Sequence, residues 1–152
     1  MRKTENEITD RSAIEGILRR AKVCRLALTD GRQPYIVPVC FGYEGDAIYL
    51  HGATEGRKLE MIQNNNRVCF EVDVDAEIVE AEAACEWGLH YRSVIGFGRA
   101  VVVEDLEQKR KALGILMKQY SDRSFSFPQD AVERTAVIKI EIQSMTGKQS
   151  AY

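Results

Sequence analysis

Apolar and polar positions change period several times along this chain, and each change marks an element. After a polar opening stretch, Ile14, Ile17, Leu18 and Ala21 recur at helical spacing. Ser12 and Glu15 have capping-box spacing, which predicts a short amphipathic helix over residues 12–21. The period then drops to two. Cys24, Leu26 and Leu28 share one face of a predicted strand, residues 23–29, and Asp30-Gly31-Arg32 closes a hairpin. A second strand, residues 35–41, is almost wholly apolar and rich in β-branched side chains. Glu44-Gly45-Asp46 supplies the turn to a third strand, residues 47–51, which ends in His51 and Gly52.

A helix capped by Thr54 follows and breaks at Asn64-Asn65-Asn66. Residues 67–74 alternate, with Val68, Phe70, Val72 and Val74 inward and Cys69, Glu71 and Asp73 outward. Residues 75–89 read as an irregular segment leading into a strand, residues 91–103. Gly96 and Gly98 in that strand mark a bulge or a close backbone approach. Leu106, Leu113, Met117 and Tyr120 share a face of a predicted helix over residues 104–120. Residues 121–131 read as a loop, with Phe125 and Phe127 unusually apolar for one. A final strand, residues 135–142, precedes a short tail, and residues 1–11 are expected to be a mobile arm. Six strands and three helices, joined mainly by hairpins, predict a mainly β domain: an antiparallel barrel with peripheral α-helices.

The length, 152 residues, fits one domain, residues 1–152. A formal net charge of −2 provides no basis for a nucleic-acid or anionic-membrane partner. No apolar run is long enough to span a bilayer, and the opening residues lack an apolar signal core, so a cytoplasmic protein is expected. Cys24, Cys40, Cys69 and Cys85 form no C-x-x-C pair, and three of them lie in apolar strand patterns. They are expected to be free buried thiols. Only His51 and His90 could join them in a metal site, and none is expected.

Candidate chemistry concentrates between Pro34 and Ile62. A cap at Thr54 would leave the N–H groups of Glu55, Gly56 and Arg57 free at a helix start, beside the cations of Arg57 and Lys58. Such a place can hold a phosphate. Glu55 opposes it, and the same residues also make an ordinary hairpin and helix with solvated charges. Pro38 cannot donate to a ladder, so it marks an edge, a bulge, or backbone that faces a ligand. Trp87 fits a core position or a subunit contact. There is no dinucleotide-binding G-x-G-x-x-G after a strand, no Walker A loop and no G-x-S-x-G elbow.

The succession PYIVPVCFGYEGDAIYLHGATEGRKLEMIQNNNRVCFEV, followed by YRSVIGFGRAVVVED, resembles the pyridoxamine 5'-phosphate oxidase-like flavoproteins over residues 14–147. Within them it is most similar to the nitroimidazole-resistance (Nim-type) branch. The resemblance implies a six-stranded antiparallel split β-barrel, a homodimer, and FMN at the dimer interface. It implies that Ile36, Val37, Pro38, Val39, Cys40 and Phe41 line the flavin ring, largely through backbone groups. His51 and Gly52 would lie near the flavin and its ribityl chain, Arg57 and Lys58 would hold the phosphate, and Ser93 would approach the ring. Met145, Thr146 and Gly147 would complete the pocket, from this subunit or the other.

The implied activity is flavin-dependent reduction of small aromatic or nitro compounds, with His51 as the catalytic proton donor. Oxidation of a B6 vitamer, a non-catalytic flavin or haem carrier, and a dimer that has lost its cofactor are the alternatives. Two departures from the family pattern bear on these. The chain ends in MTGKQSAY rather than an arginine–histidine segment for the phosphate of pyridoxamine phosphate, and Met145 stands where the family usually has an aromatic.

Overall fold

The computed structural model of the protein describes residues 4–150. Two residues of the expected arm, Glu7–Ile8, form β1, and Arg11–Arg20 form α1. Strands β2 (Cys24–Thr29), β3 (Pro34–Val39), β4 (Phe41–Glu44) and β5 (Ala47–Gly52) follow, then α2 (Arg57–Asn64). The remainder is β6 (Arg67–Val79), β7 (Gly88–Val103), α3 (Leu106–Lys118), α4 (Gln129–Glu133) and β8 (Ala136–Ser150). All strand pairings are antiparallel, in the order β3-β2-β6-β7-β8-β5-β4, with β1 added to β8.

The two ends of this order, β3 and β4, are consecutive in the chain and separated by Cys40 alone. The sheet therefore has to curl until its edges meet at one backbone junction, while its ladder stays open between them. This is the split barrel the sequence leads one to expect, and β3 with β4 counts as its one bent strand. The barrel interior holds the alternating residues of every strand: Leu26, Phe41, Ile48, Leu50, Phe70, Val72, Val94 and Ile140 are all fully buried. The β4–β5 hairpin has Gly45 at φ 58° and Asp46 at φ 61°, the two left-handed positions of a two-residue turn. Gly96 answers to a close approach, since a Cβ there would stand 2.2 Å from Cζ of Phe70, and the register of β7 on β8 shifts between Phe97 and Gly98.

Several expectations change. Asp10, not Ser12, caps α1, accepting from the Ala13 N–H at 2.9 Å. Glu7 and Ile8 pair with Lys148 and Gly147, so this part of the expected arm belongs to the sheet; residues 1–3 lie outside the described residues. The segment at residues 75–89 is a hairpin extending β6 and β7 beyond a bulge at Asp75, φ 59°. The Asp75 carboxylate accepts from both terminal nitrogens of Arg20 and from Arg92, which ties the bulge to α1 and β7. The expected tail is the second half of β8, whose residues Ile142 to Ser150 pair with β7; residues 151–152 lie outside the described residues. The last residues of the expected loop, 129–131, begin α4, which runs on to Glu133. At the C-terminus of α1, Gln119 Nε2 donates to the carbonyls of Leu18 and Ala21, both at 2.8 Å, from a buried position.

The thiols are not all buried. Cys24 is, Cys69 is half-buried, and Cys40 and Cys85 are exposed. Burial pushes the Cys24 thiol up to about 12. Alkylation at pH 8 with peptide mapping should modify Cys40 and Cys85 in the folded protein and Cys24 only after unfolding. Labelling of Cys24 at the rate of Cys85 would show that the strand does not pack as described.

Among the described residues, no helix is long and apolar enough to cross a membrane. No group of three or more His, Cys, Asp or Glu side chains among them is placed to hold a metal ion.

Candidate functional site

The end of β5 and the start of α2 build the site. Side chains alternate along β5, so Ile48, Leu50 and Gly52 face the barrel side, and Tyr49 and His51 face α3. The missing side chain at Gly52 is filled from outside the strand: a Cβ there would lie 3.1 Å from Nζ of Lys58. Lys58 thus folds back over the strand end. Thr54 does not cap α2. Gly56 does, at φ 122°, without a side-chain bond, and the N–H groups of Leu59 and Glu60 reach its carbonyl at 3.0 and 3.1 Å. The N–H groups left without a helical acceptor are therefore those of Arg57 and Lys58, two residues later than the sequence predicts.

The Arg57 guanidinium lies over the Tyr35 ring, 4.6 Å from its centroid. Lys58 is half-buried, and burial lowers its pKa. No carboxylate among the described residues pairs with it. A partly desolvated ammonium without a counter-charge is unfavourable unless an anion supplies one. Tyr35 and Val37 of β3, Gly56, Arg57, Lys58 and Ile138 of β8 enclose a cleft of about 290 Å³ here. Two cations and two free N–H groups at a helix start suit a phosphate. Glu55 also lines this cleft; it is exposed and makes no ion pair among those described, so Lys58 stays unpaired while the carboxylate opposes an anion there.

Along β3 the side chains divide. Tyr35, Val37 and Val39 pack toward the core, and Ile36, Pro38 and Cys40 are exposed. β3 pairs only with β2, so Pro38 sits on an edge strand whose second edge is free to meet a ligand through backbone groups. Phe41 is a correction: it is fully buried, and its N–H donates to Tyr120 Oη at 2.9 Å, so neither its side chain nor its N–H is available.

Ser93, Met145, Thr146 and Gly147 do not join this cleft within one chain. Ser93 pairs with Lys148, Met145 with Gly96, Thr146 with Ile95 and Gly147 with Val94, on β7 and on the half of β8 beyond the residues, Ala136 to Glu141, that pair with β5. Met145 packs on the core, and Gly147 makes room for Ile8 and Ile14, each 2.9 Å from where its Cβ would be. Ser93 is buried, and Thr146 is exposed. On the outer face of the same sheet, Ile36, Ala27, Cys69 and Phe97 form one cross-strand row. Ile36 is 63% and Phe97 55% exposed, beside a shallow cavity of about 530 Å³.

Two features were not foreseen. Tyr35 becomes a wall of the cleft through its stack with Arg57, a contact only the folded chain brings about. His51 opens not toward Lys58 but toward a second cavity against α3 and α4, to which Phe127 contributes. The apolar character of Phe127 in a predicted loop was its one visible signal.

The family model for pyridoxamine 5'-phosphate oxidase matches residues 10–149. A solved structure from Bacteroides thetaiotaomicron, of a protein proposed to be a 5-nitroimidazole antibiotic resistance protein, is 38% identical. It superposes with a TM-score of 0.85 over 94% of this chain and 86% of that one. An FAD-binding protein from Mesorhizobium loti is 25% identical, with a TM-score of 0.68 over 93% of this chain and 96% of that one. An uncharacterised protein of Rhizobium meliloti is 26% identical over 65 residues, which span 43% of this chain and 42% of that protein.

Proposed function

The chain belongs to the pyridoxamine 5'-phosphate oxidase family, and on that footing we propose that it is an FMN-binding homodimer that reduces small aromatic or nitro compounds. The observation that carries the cofactor is Lys58, half-buried, unpaired among the described residues, and set at a helix start beside Arg57. That donor set suits the doubly charged terminal phosphate of FMN better than an internal phosphodiester, because it concentrates positive charge at one point. Arg57 and Lys58 would hold the phosphate, and the free edge of β3 would receive the ring. Bound there, FMN would supply the electron transfer between a donor and the substrate. His51 is exposed at the strand end and can give a proton to an acceptor held beside it. The likeness to the Bacteroides protein supports a nitro compound as substrate.

The dimer is supported by two features of one chain. The exposed row of Ile36 and Phe97 is apolar surface of the kind subunits cover. Ser93 and Thr146 do not line the cleft of their own chain, and on a second copy they could serve its cofactor. Sedimentation of the FMN-loaded protein, followed in the visible flavin band, tests both points. The flavin should travel with a species of about twice 17.2 kDa. Flavin left behind would refute the cofactor, and flavin travelling with a monomer would refute the shared site. Anaerobic consumption of a nitroaromatic acceptor by the loaded protein tests the reduction.

A further inference from the structure

Arg57 has two carboxylates close to it in the chain and pairs with neither. Glu55 shares its cleft, and Glu60 lies one helical turn further along α2. All three side chains are exposed, and an arginine with a glutamate at helical spacing readily forms an ion pair. Such a pair would occupy the guanidinium fork and cancel its charge before any phosphate arrived.

The guanidinium lies instead over the Tyr35 ring, 4.6 Å from its centroid. That contact leaves the charge whole. A ring face attracts a cation through its quadrupole and covers one flat side of the guanidinium, while the N–H donors stay free around its edge. Tyr35 is itself held in place. It lies opposite Leu28 in the β2–β3 ladder, and its side chain packs against the barrel core. A fixed ring on β3 therefore sets the position of a long, exposed side chain on α2. An arginine already docked also has less freedom to lose when it binds an anion. We propose that Tyr35 is a positioning residue, which holds the Arg57 guanidinium to the cleft and away from Glu55 and Glu60, so that its charge stays available to an anion. This role rests on the reading of the cleft as the FMN phosphate site.

FMN titrations followed by flavin fluorescence test it through two thermodynamic cycles. Tyr35→Leu, which keeps an apolar side chain on the core, should weaken FMN binding about fivefold. Tyr35→Phe keeps the ring and should stay within about twofold of the native chain. In an Arg57→Ala background, Tyr35→Leu should cost nothing further, because Tyr35 acts through the guanidinium. A side chain that merely shapes the cleft would cost as much without Arg57 as with it. Replacing Glu55 and Glu60 together by glutamine should strengthen FMN binding more in Tyr35→Leu than in the native chain, since only there have they captured the arginine. Saturation at one FMN per chain shows that each variant is folded. Equal losses from Tyr35→Leu with and without Arg57, equal gains from the two glutamines in both chains, or Tyr35→Phe binding as weakly as Tyr35→Leu would each overturn the role of Tyr35 and leave the phosphate site standing. Arg57→Ala binding FMN as tightly as the native chain would instead remove Arg57 from the phosphate site, and the role of Tyr35 with it.

Discussion

Replacing Arg57 and Lys58 together by alanine is expected to weaken FMN binding at least about a hundredfold. Each charge-assisted hydrogen bond to a phosphate contributes about 1.5–3 kcal/mol, and about 1.4 kcal/mol is a factor of ten. Arg57 is exposed and belongs at the low end, whereas Lys58 is half-buried and less screened. The two N–H groups at the helix start survive the change, so binding should weaken rather than vanish. A fluorescence titration of flavin into the double variant measures the loss. Affinity within a few-fold of the native chain would place the phosphate elsewhere.

The cofactor-free protein provides a control, because Lys58 should work against folding there. Its lowered pKa means that the folded chain binds that proton less tightly than the unfolded chain. The unfolded state then holds more protons between the depressed folded value and the ordinary lysine value, so stability without FMN should rise with pH through that window. Lys58→Met should flatten this rise without lowering stability at neutral pH.

Gly42→Ala is expected to cost about 3 kcal/mol of stability, and Gly42→Val more. A Cβ at Gly42 would stand 2.6 Å from Cα of Leu116 and 2.7 Å from the carbonyl oxygen of Ile115. Both atoms are backbone of α3, so no side chain can rotate away and the whole helix would have to lift off β4. Lifting it would also open the cavity lined by Leu116 and Met117 and expose Ala112. Urea denaturation checks this directly, and a native midpoint in Gly42→Ala would mean that α3 is not seated on β4.

Legibility in the sequence followed the range of each interaction. The hairpins of β2–β3 and β4–β5 and the alternation of residues 67–74 were readable, because turn residues and period are local signals, whereas Pro38 left an edge, a bulge and a ligand-facing backbone open until the pairing placed it on an edge. The second half of β8 was not, since Gln143, Ser144, Thr146 and Lys148 are polar and the strand there shows no apolar alternation. Asp75 hid the continuation of β6 by bulging the strand where the period should have carried on. At the site, Arg57 and Lys58 could be named from their neighbours, but the shift of the cap from Thr54 to Gly56 depends on a glycine φ that no spacing reveals. The inward facing of Met145 and Gly147 follows from their register on β7, which is set by pairing across a long separation. The cavity at His51 draws on four separate stretches of chain, and no local pattern could announce it.

β8 comes last among the described strands yet lies between β7 and β5, near the middle of the sheet. A nascent chain emerging from the ribosome can make the hairpins β2–β3, β4–β5 and β6–β7 as it appears, but it cannot join the two halves of the barrel until β8 arrives. Until then β5 and β7 each present an unpaired edge of apolar, β-branched backbone, the kind of surface on which chains stick to one another. Completion of the fold must therefore wait for β8. A truncation within β8 should be felt as aggregation in the cell.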